Sequence, residues 1–137
     1  MIVDTSALVA ITSGEREWQQ LRNAINASKA VIPAPALTEF WLVIGGRNPA
    51  LLEFGEAMVA TMLTDGVEVA AFELRHADIT ALARERYGKG NGQGGRLNFG
   101  DLMVYAVAKD RGEPLLCTGN DFASTDLRIH PASRLEP

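Results

Sequence analysis

Cysteine is nearly absent: of 137 residues only Cys117 carries a thiol, inside the apolar run Pro114-Leu115-Leu116-Cys117. One cysteine excludes a disulfide framework and a thiolate zinc cluster, and it fits a reducing, cytoplasmic compartment. Histidine is almost as scarce. His76 reads as a surface residue in a polar helical turn and His130 as part of a tail strand, so paired imidazole acid–base chemistry has no support. Long hydrophobic runs are missing too; no stretch approaches the roughly 18 uninterrupted apolar residues of a membrane helix. Met1-Ile2-Val3-Asp4 lacks a basic leader, so secretion and anchoring are not expected. Positive charge is in deficit, with a net charge of −4. That argues against a module that neutralises phosphate over a broad basic surface, but not against an enzyme that reaches phosphate through bound cations.

What is present is apolar. The hydrophobic residues make up 47% of the chain, enough for one domain over 1–137 that buries its own core and also surface against partners. Ile2-Val3 reads as a short strand, with Asp4-Thr5-Ser6 capping a helix over Ala7 to Ile11. Trp18, Leu21 and Ile25 mark one face of a helix from Glu15 to Ala27. Ala30 to Ile32 is a second strand, followed by an apolar helix from Ala36 to Ile44 that Gly45-Gly46 should end. Pro49 to Leu63 is helical, Asp65-Gly66 a turn, and Val67 to Phe72 a third strand. Glu73 to Tyr87 forms a helix with Ile79, Leu82 and Ala83 on one face. Five glycines between Gly88 and Arg96 make a loop. Asn98 to Lys109 is the last helix, Pro114 to Cys117 a buried strand and Leu127 to Ile129 a weak one. Short apolar strands alternating with helices define an α/β fold with a parallel sheet covered on both faces. Trp18 and Trp41 have apolar neighbours and fit core or interface positions.

Four acids stand out. Asp4 and Asp121 each follow a strand end, where functional groups collect in parallel sheets. Glu39 shares a helix face with Leu42 and Val43, and Asp101 shares one with Val104, Tyr105 and Ala108. Singly, each has an ordinary explanation as a cap, a turn residue or one half of an ion pair. Together, with no Lys or Arg within a turn on those faces, they describe clustered carboxylates that a cation would reconcile. Oxygen donors alone suit Mg²⁺ or Mn²⁺ rather than zinc.

The ordered pieces Met1-Ile2-Val3-Asp4-Thr5-Ser6-Ala7, Pro35-Ala36-Leu37-Thr38-Glu39, Tyr87-Gly88-Lys89-Gly90, Leu97-Asn98-Phe99-Gly100-Asp101 and Gly119-Asn120-Asp121-Phe122 resemble the PIN-domain family, specifically its VapC-type toxins of toxin–antitoxin pairs. The resemblance covers nearly the whole chain. It implies a three-layer α/β/α fold with a short, mainly parallel central sheet, and hydrolysis of RNA phosphodiester bonds with Mg²⁺ or Mn²⁺. Asp4, Glu39, Asp101 and Asp121 would be the metal-binding and catalytic acids, with Ser6 and Asn120 in support. The chain departs from the pattern at Asn120, where relatives often carry a second Asp. A homodimer and a VapB-type antitoxin covering the acidic pocket are also implied. Arg84, Arg86, Lys89 and Arg96 flank the glycine-rich loop and are candidates to guide an RNA backbone.

Two other classes bind Mg²⁺ through aspartates at strand ends. A phosphatase of that kind wants Asp-x-Asp after the first strand, where this chain has Asp4-Thr5-Ser6. A phosphoacceptor receiver needs an acidic pair there. The non-enzymatic alternative is a catalytically degenerate PIN domain acting as a protein-binding module, against which the retention of all four acids speaks.

Overall fold

In a computed structural model describing residues 1–137, four short strands form one sheet: β1 (Ile2–Val3), β2 (Val31–Pro33), β3 (Glu68–Ala70) and β4 (Leu115–Leu116). Every pairing is parallel, and the spatial order is β3-β2-β1-β4. Such short strands hold together because they are buried: Ile2, Val3, Ile32, Leu115 and Leu116 expose no surface. Six helices flank the sheet: α1 (Thr5–Thr12), α2 (Trp18–Ala27), α3 (Ala34–Arg47), α4 (Pro49–Thr64), α5 (Leu74–Tyr87) and α6 (Phe99–Arg111). One continuous core contains Leu8, Leu21, Phe40, Ile44, Met58, Val104 and the strand residues, with Trp18 and Trp41 partly buried against it.

Strand order reverses at β1, with β2 and β3 to one side and β4 to the other. The carboxyl ends of β1 and β4 lie side by side at this switch point, the Asp4 amide donating to the Leu116 carbonyl at 3.0 Å, and it is there that open parallel sheets offer a crevice to ligands.

Several expectations from the sequence need correction. Helix α3 does not stop at Gly45-Gly46 but runs to Arg47. Neither glycine takes a left-handed backbone, and a Cβ at Gly45 would make only ordinary contact with Leu52 Cδ2 at 3.7 Å, so both sit in the helix without ending it. The chain breaks at Asn48, which is extended and whose Oδ1 accepts the Ala50 amide to cap α4. Helix α2 starts at Trp18 rather than Glu15, because Glu17 has φ +68°, a left-handed backbone that no helix can run through. Leu82 is exposed on α5 while Ala83 alone is fully buried there beside His76. The third strand shrinks to Glu68–Ala70, and Leu127 to Ile129 contributes only a bridge from Ile129 to Leu115.

His76 is the largest departure. It is buried, not on the surface. Its Nδ1 accepts the Glu73 amide at 2.9 Å, so the ring proton lies on Nε2 and is donated to Asp110 Oδ2 at 3.0 Å. The imidazole is a helix cap and a tie between α5 and α6, satisfied on both nitrogens and packed on the Phe72 ring at 5.4 Å.

Candidate active site

Asp4 leaves β1 and becomes the N-cap of α1, with an extended backbone and its Oδ2 accepting both the Ser6 amide (3.0 Å) and the Ser6 hydroxyl (2.5 Å). The Ser6 Oγ in turn accepts the Thr118 amide at 3.0 Å. One hydroxyl thus ties the end of β1 to the segment after β4. Thr5 Oγ1 donates to the Ala36 carbonyl at 2.9 Å, fastening α1 to α3, the helix that carries Glu39. Asp101 is the third residue of α6 and closes a capping box: Asn98 Oδ1 accepts the Asp101 amide at 2.9 Å, and Asp101 Oδ2 accepts the Asn98 amide at 3.1 Å. Asp121 lies in the turn after β4, half exposed, with Arg96 Nε 3.4 Å from its Oδ1.

These four acids share one cavity of about 290 Å³, together with Ser6, Asn98, Thr118 and Phe122. Asn120 is not part of it. Its amide exchanges hydrogen bonds with the backbone of Glu136, turning the side chain toward the C-terminal tail. Of the four basic candidates, Lys89 and Arg96 line an adjoining hollow that shares Asn98 and Asp121 with the acidic cavity. The other two face elsewhere: Arg84 borders an apolar groove, and Arg86 lies over the Tyr87 ring, 5.5 Å from its centroid. Nothing in the sequence marked Glu15 and Arg47, which pair at the cavity wall with Arg47 Nη1 3.9 Å from Glu15 Oε1 and 3.3 Å from Ser13 Oγ. Arg47 was hidden because it lies beyond the glycines where α3 was expected to end.

Burial dominates the electrostatics. Asp4 is 5% exposed, and desolvation pushes its carboxyl above the usual range despite the two bonds from Ser6. Desolvation raises Glu39 as well, helped by the charge of Asp4. Asp101 is pushed up to about 7, first by burial, against the Asn98 amide that favours its charge, and then by Asp4, Asp121 and Glu39. Asp4, Glu39 and Asp101 make no ion pair; of the four only Asp121 pairs with a base, while Arg47 on the cavity wall is paired with Glu15. Three crowded carboxylates without a counterion form a donor set that fits a hard divalent cation. No three of them are drawn together around a common point in this conformation; they line the walls of a space a hydrated ion can enter.

Fold and cavity together define a parallel-sheet α/β protein with an acidic pocket at the switch point beside its first strand. Residues 1–127 match the PIN domain family. Over 130 residues the chain is 41% identical to VapC ribonuclease Mb2780c of Mycobacterium bovis, covering 93% of this chain and 97% of that one. It is 42% identical over 132 residues to ribonuclease VapC36 of Mycobacterium tuberculosis, covering 94% and 92%. The chain therefore belongs to the PIN-domain family, within its VapC branch. Among solved structures, the fold is similar to Mycobacterium tuberculosis VapC20, a sarcin–ricin loop cleaving toxin, with a TM-score of 0.70 at 19% identity over 92% of this chain and 95% of that one. It is also similar to the Rickettsia felis VapBC2 structure bound to a promoter DNA fragment, with a TM-score of 0.69 at 15% identity over 98% and 96%.

Proposed function

We propose that the protein is a Mg²⁺- or Mn²⁺-dependent endoribonuclease, the toxin of a toxin–antitoxin pair, acting in the cytoplasm. The observation that carries this reading is the gathering of Asp4, Glu39, Asp101 and Asp121 on one cavity, three of them without a basic partner. Its relatives named VapC ribonucleases support the substrate class.

Asp4, Glu39 and Asp101 would hold the cation, with Asp121 at the mouth. When bound, it supplies a Lewis acid that offsets charge on phosphoryl and leaving oxygens and makes water a better nucleophile. Ser6 holds Asp4 through Oδ2, and Oδ1 would be the oxygen that meets the cation. In Asp101 the Asn98 amide likewise occupies Oδ2, so Oδ1 would be its oxygen toward the cation, and Asp121 at the mouth would orient the attacking water or take its proton. Lys89 and Arg96 sit where an RNA backbone entering the mouth meets positive charge.

A VapB-type antitoxin is the proposed partner, supported by the structural similarity to VapBC complexes. A homodimer is supported by the apolar groove between α5 and α6, where Phe99 is 81% exposed. The test is incubation of total cellular RNA with purified, antitoxin-free protein and Mg²⁺ or Mn²⁺, against EDTA and the Asp4→Asn variant. Discrete fragments that vanish in both controls are expected; intact RNA with folded, metal-loaded protein overturns the reading in favour of a binding module.

A further inference from the structure

Gly100 is the second residue of α6, and its backbone is ordinary right-handed helix, so no positive φ demands glycine there. Glycine is also the poorest helix former after proline. The space around it supplies the reason. A Cβ at Gly100 would overlap Glu39 Oε2 outright and lie 3.0 Å from Glu39 Cδ. The Glu39 carboxylate, arriving from α3, rests where the side chain of any other residue would be. The nearest further atom, Asn98 Oδ1 at 3.6 Å, leaves ordinary contact distance. The cradle is therefore fitted to Glu39 alone.

We infer that Gly100 is a positioning residue for the candidate site: by having no side chain, it lets Glu39 lie against the first turn of α6, one residue from Asp101, inside the acidic cavity. This rests on the proposed metal-binding reading for its consequence, but not for its geometry. Glu39 is half-buried and its carboxylate is the free end of a flexible side chain. Substitution at Gly100 should therefore move Glu39 rather than break the fold. The terminal group swings out of the cavity, and α6 gains a better helix former.

The experiment is a double-mutant cycle on metal-free protein titrated with Mn²⁺ by calorimetry, with Gly100→Ala, Glu39→Ala and the double variant, beside a crystal structure of Gly100→Ala. Gly100→Ala is expected to weaken Mn²⁺ binding by roughly 10–100-fold, as displacement of a supporting group does. In the Glu39→Ala background the same substitution is expected to change nothing, because the group it displaces is gone. An equal loss in both backgrounds overturns the inference and assigns the effect to α6 itself. Should the parent protein bind no Mn²⁺, the metal reading fails, and the crystal structure decides the inference alone. Glu39 displaced from α6 in the Gly100→Ala variant upholds it; Glu39 unmoved in that variant sinks it.

Discussion

At the scale of single residues, the acids of the cavity are held in place by the same bonds that make them look like helix caps. Asp4 caps α1 and Asp101 closes the box on α6, so the ordinary and the functional readings are both correct. This predicts a separation of stability from activity. Asn retains an acceptor oxygen and is as good a cap as Asp. Asp4→Asn and Asp101→Asn should therefore fold, and at pH 8 without metal they should melt no lower than the parent, since each removes a desolvated charge facing other carboxylates. RNA cleavage should fall to background in both. Thermal melting and a gel assay on the same preparations check this; full activity in both variants would remove the acids from the mechanism. Ser6→Ala should act more mildly, with a roughly 10–100-fold loss, because it orients Asp4 rather than meeting substrate.

At the scale of elements, the strand-end and inward-face patterns made most of the site readable. Asp4 had to lie at the carboxyl end of a strand, and Glu39 and Asp101 had to look inward with their apolar neighbours; a parallel sheet brings those places together. What escaped was set by partners distant in sequence. His76 can be buried because Asp110, 34 residues away, accepts its Nε2–H. Arg96 pairs with Asp121 across 25 residues, and Asn120 is taken by the tail at Glu136. Nothing local marks such pairs. Gly45-Gly46 misled because glycine in a helix weakens it without ending it, and the stop is set downstream by the extended backbone and capping oxygen of Asn48. Helix α6 carries the prediction at this scale. Asn98 caps it, and Gly112 ends it with φ +64°. Asn98→Ala should cost about 1 kcal/mol of stability, read as a lower urea midpoint at unchanged slope. Activity should fall with it, because the first turn of α6 places Asp101. Asn98→Ser, which retains a capping oxygen, should recover most of both.

For the whole molecule, the cavity makes stability depend on pH in a direction most proteins do not show. In the folded chain Asp101 titrates near 7, against 3.8 when unfolded, and Asp4 and Glu39 are raised too. Between about pH 4 and 7 the folded state therefore holds more protons than the unfolded one, and stability falls as pH rises through that window. Glu68, Asp110 and Asp126 are lowered by Arg111, Arg75 and Lys109 and act in the opposite sense. Their contribution is complete above their unfolded values near 4, so it does not tilt the curve at higher pH. A divalent cation reverses the slope, because it binds the ionised carboxylates and competes with protons for them. Metal-free protein should lose several degrees of melting temperature between pH 5 and pH 8, while saturating Mn²⁺ should restore more at pH 8 than at pH 5. Asp101→Asn should flatten the metal-free curve and shrink the Mn²⁺ effect together, which isolates this cavity from every other titrating group. A parent curve that rises from pH 5 to 8, or a variant whose slope matches the parent's, would mean that the acids are not coupled through burial as the geometry requires.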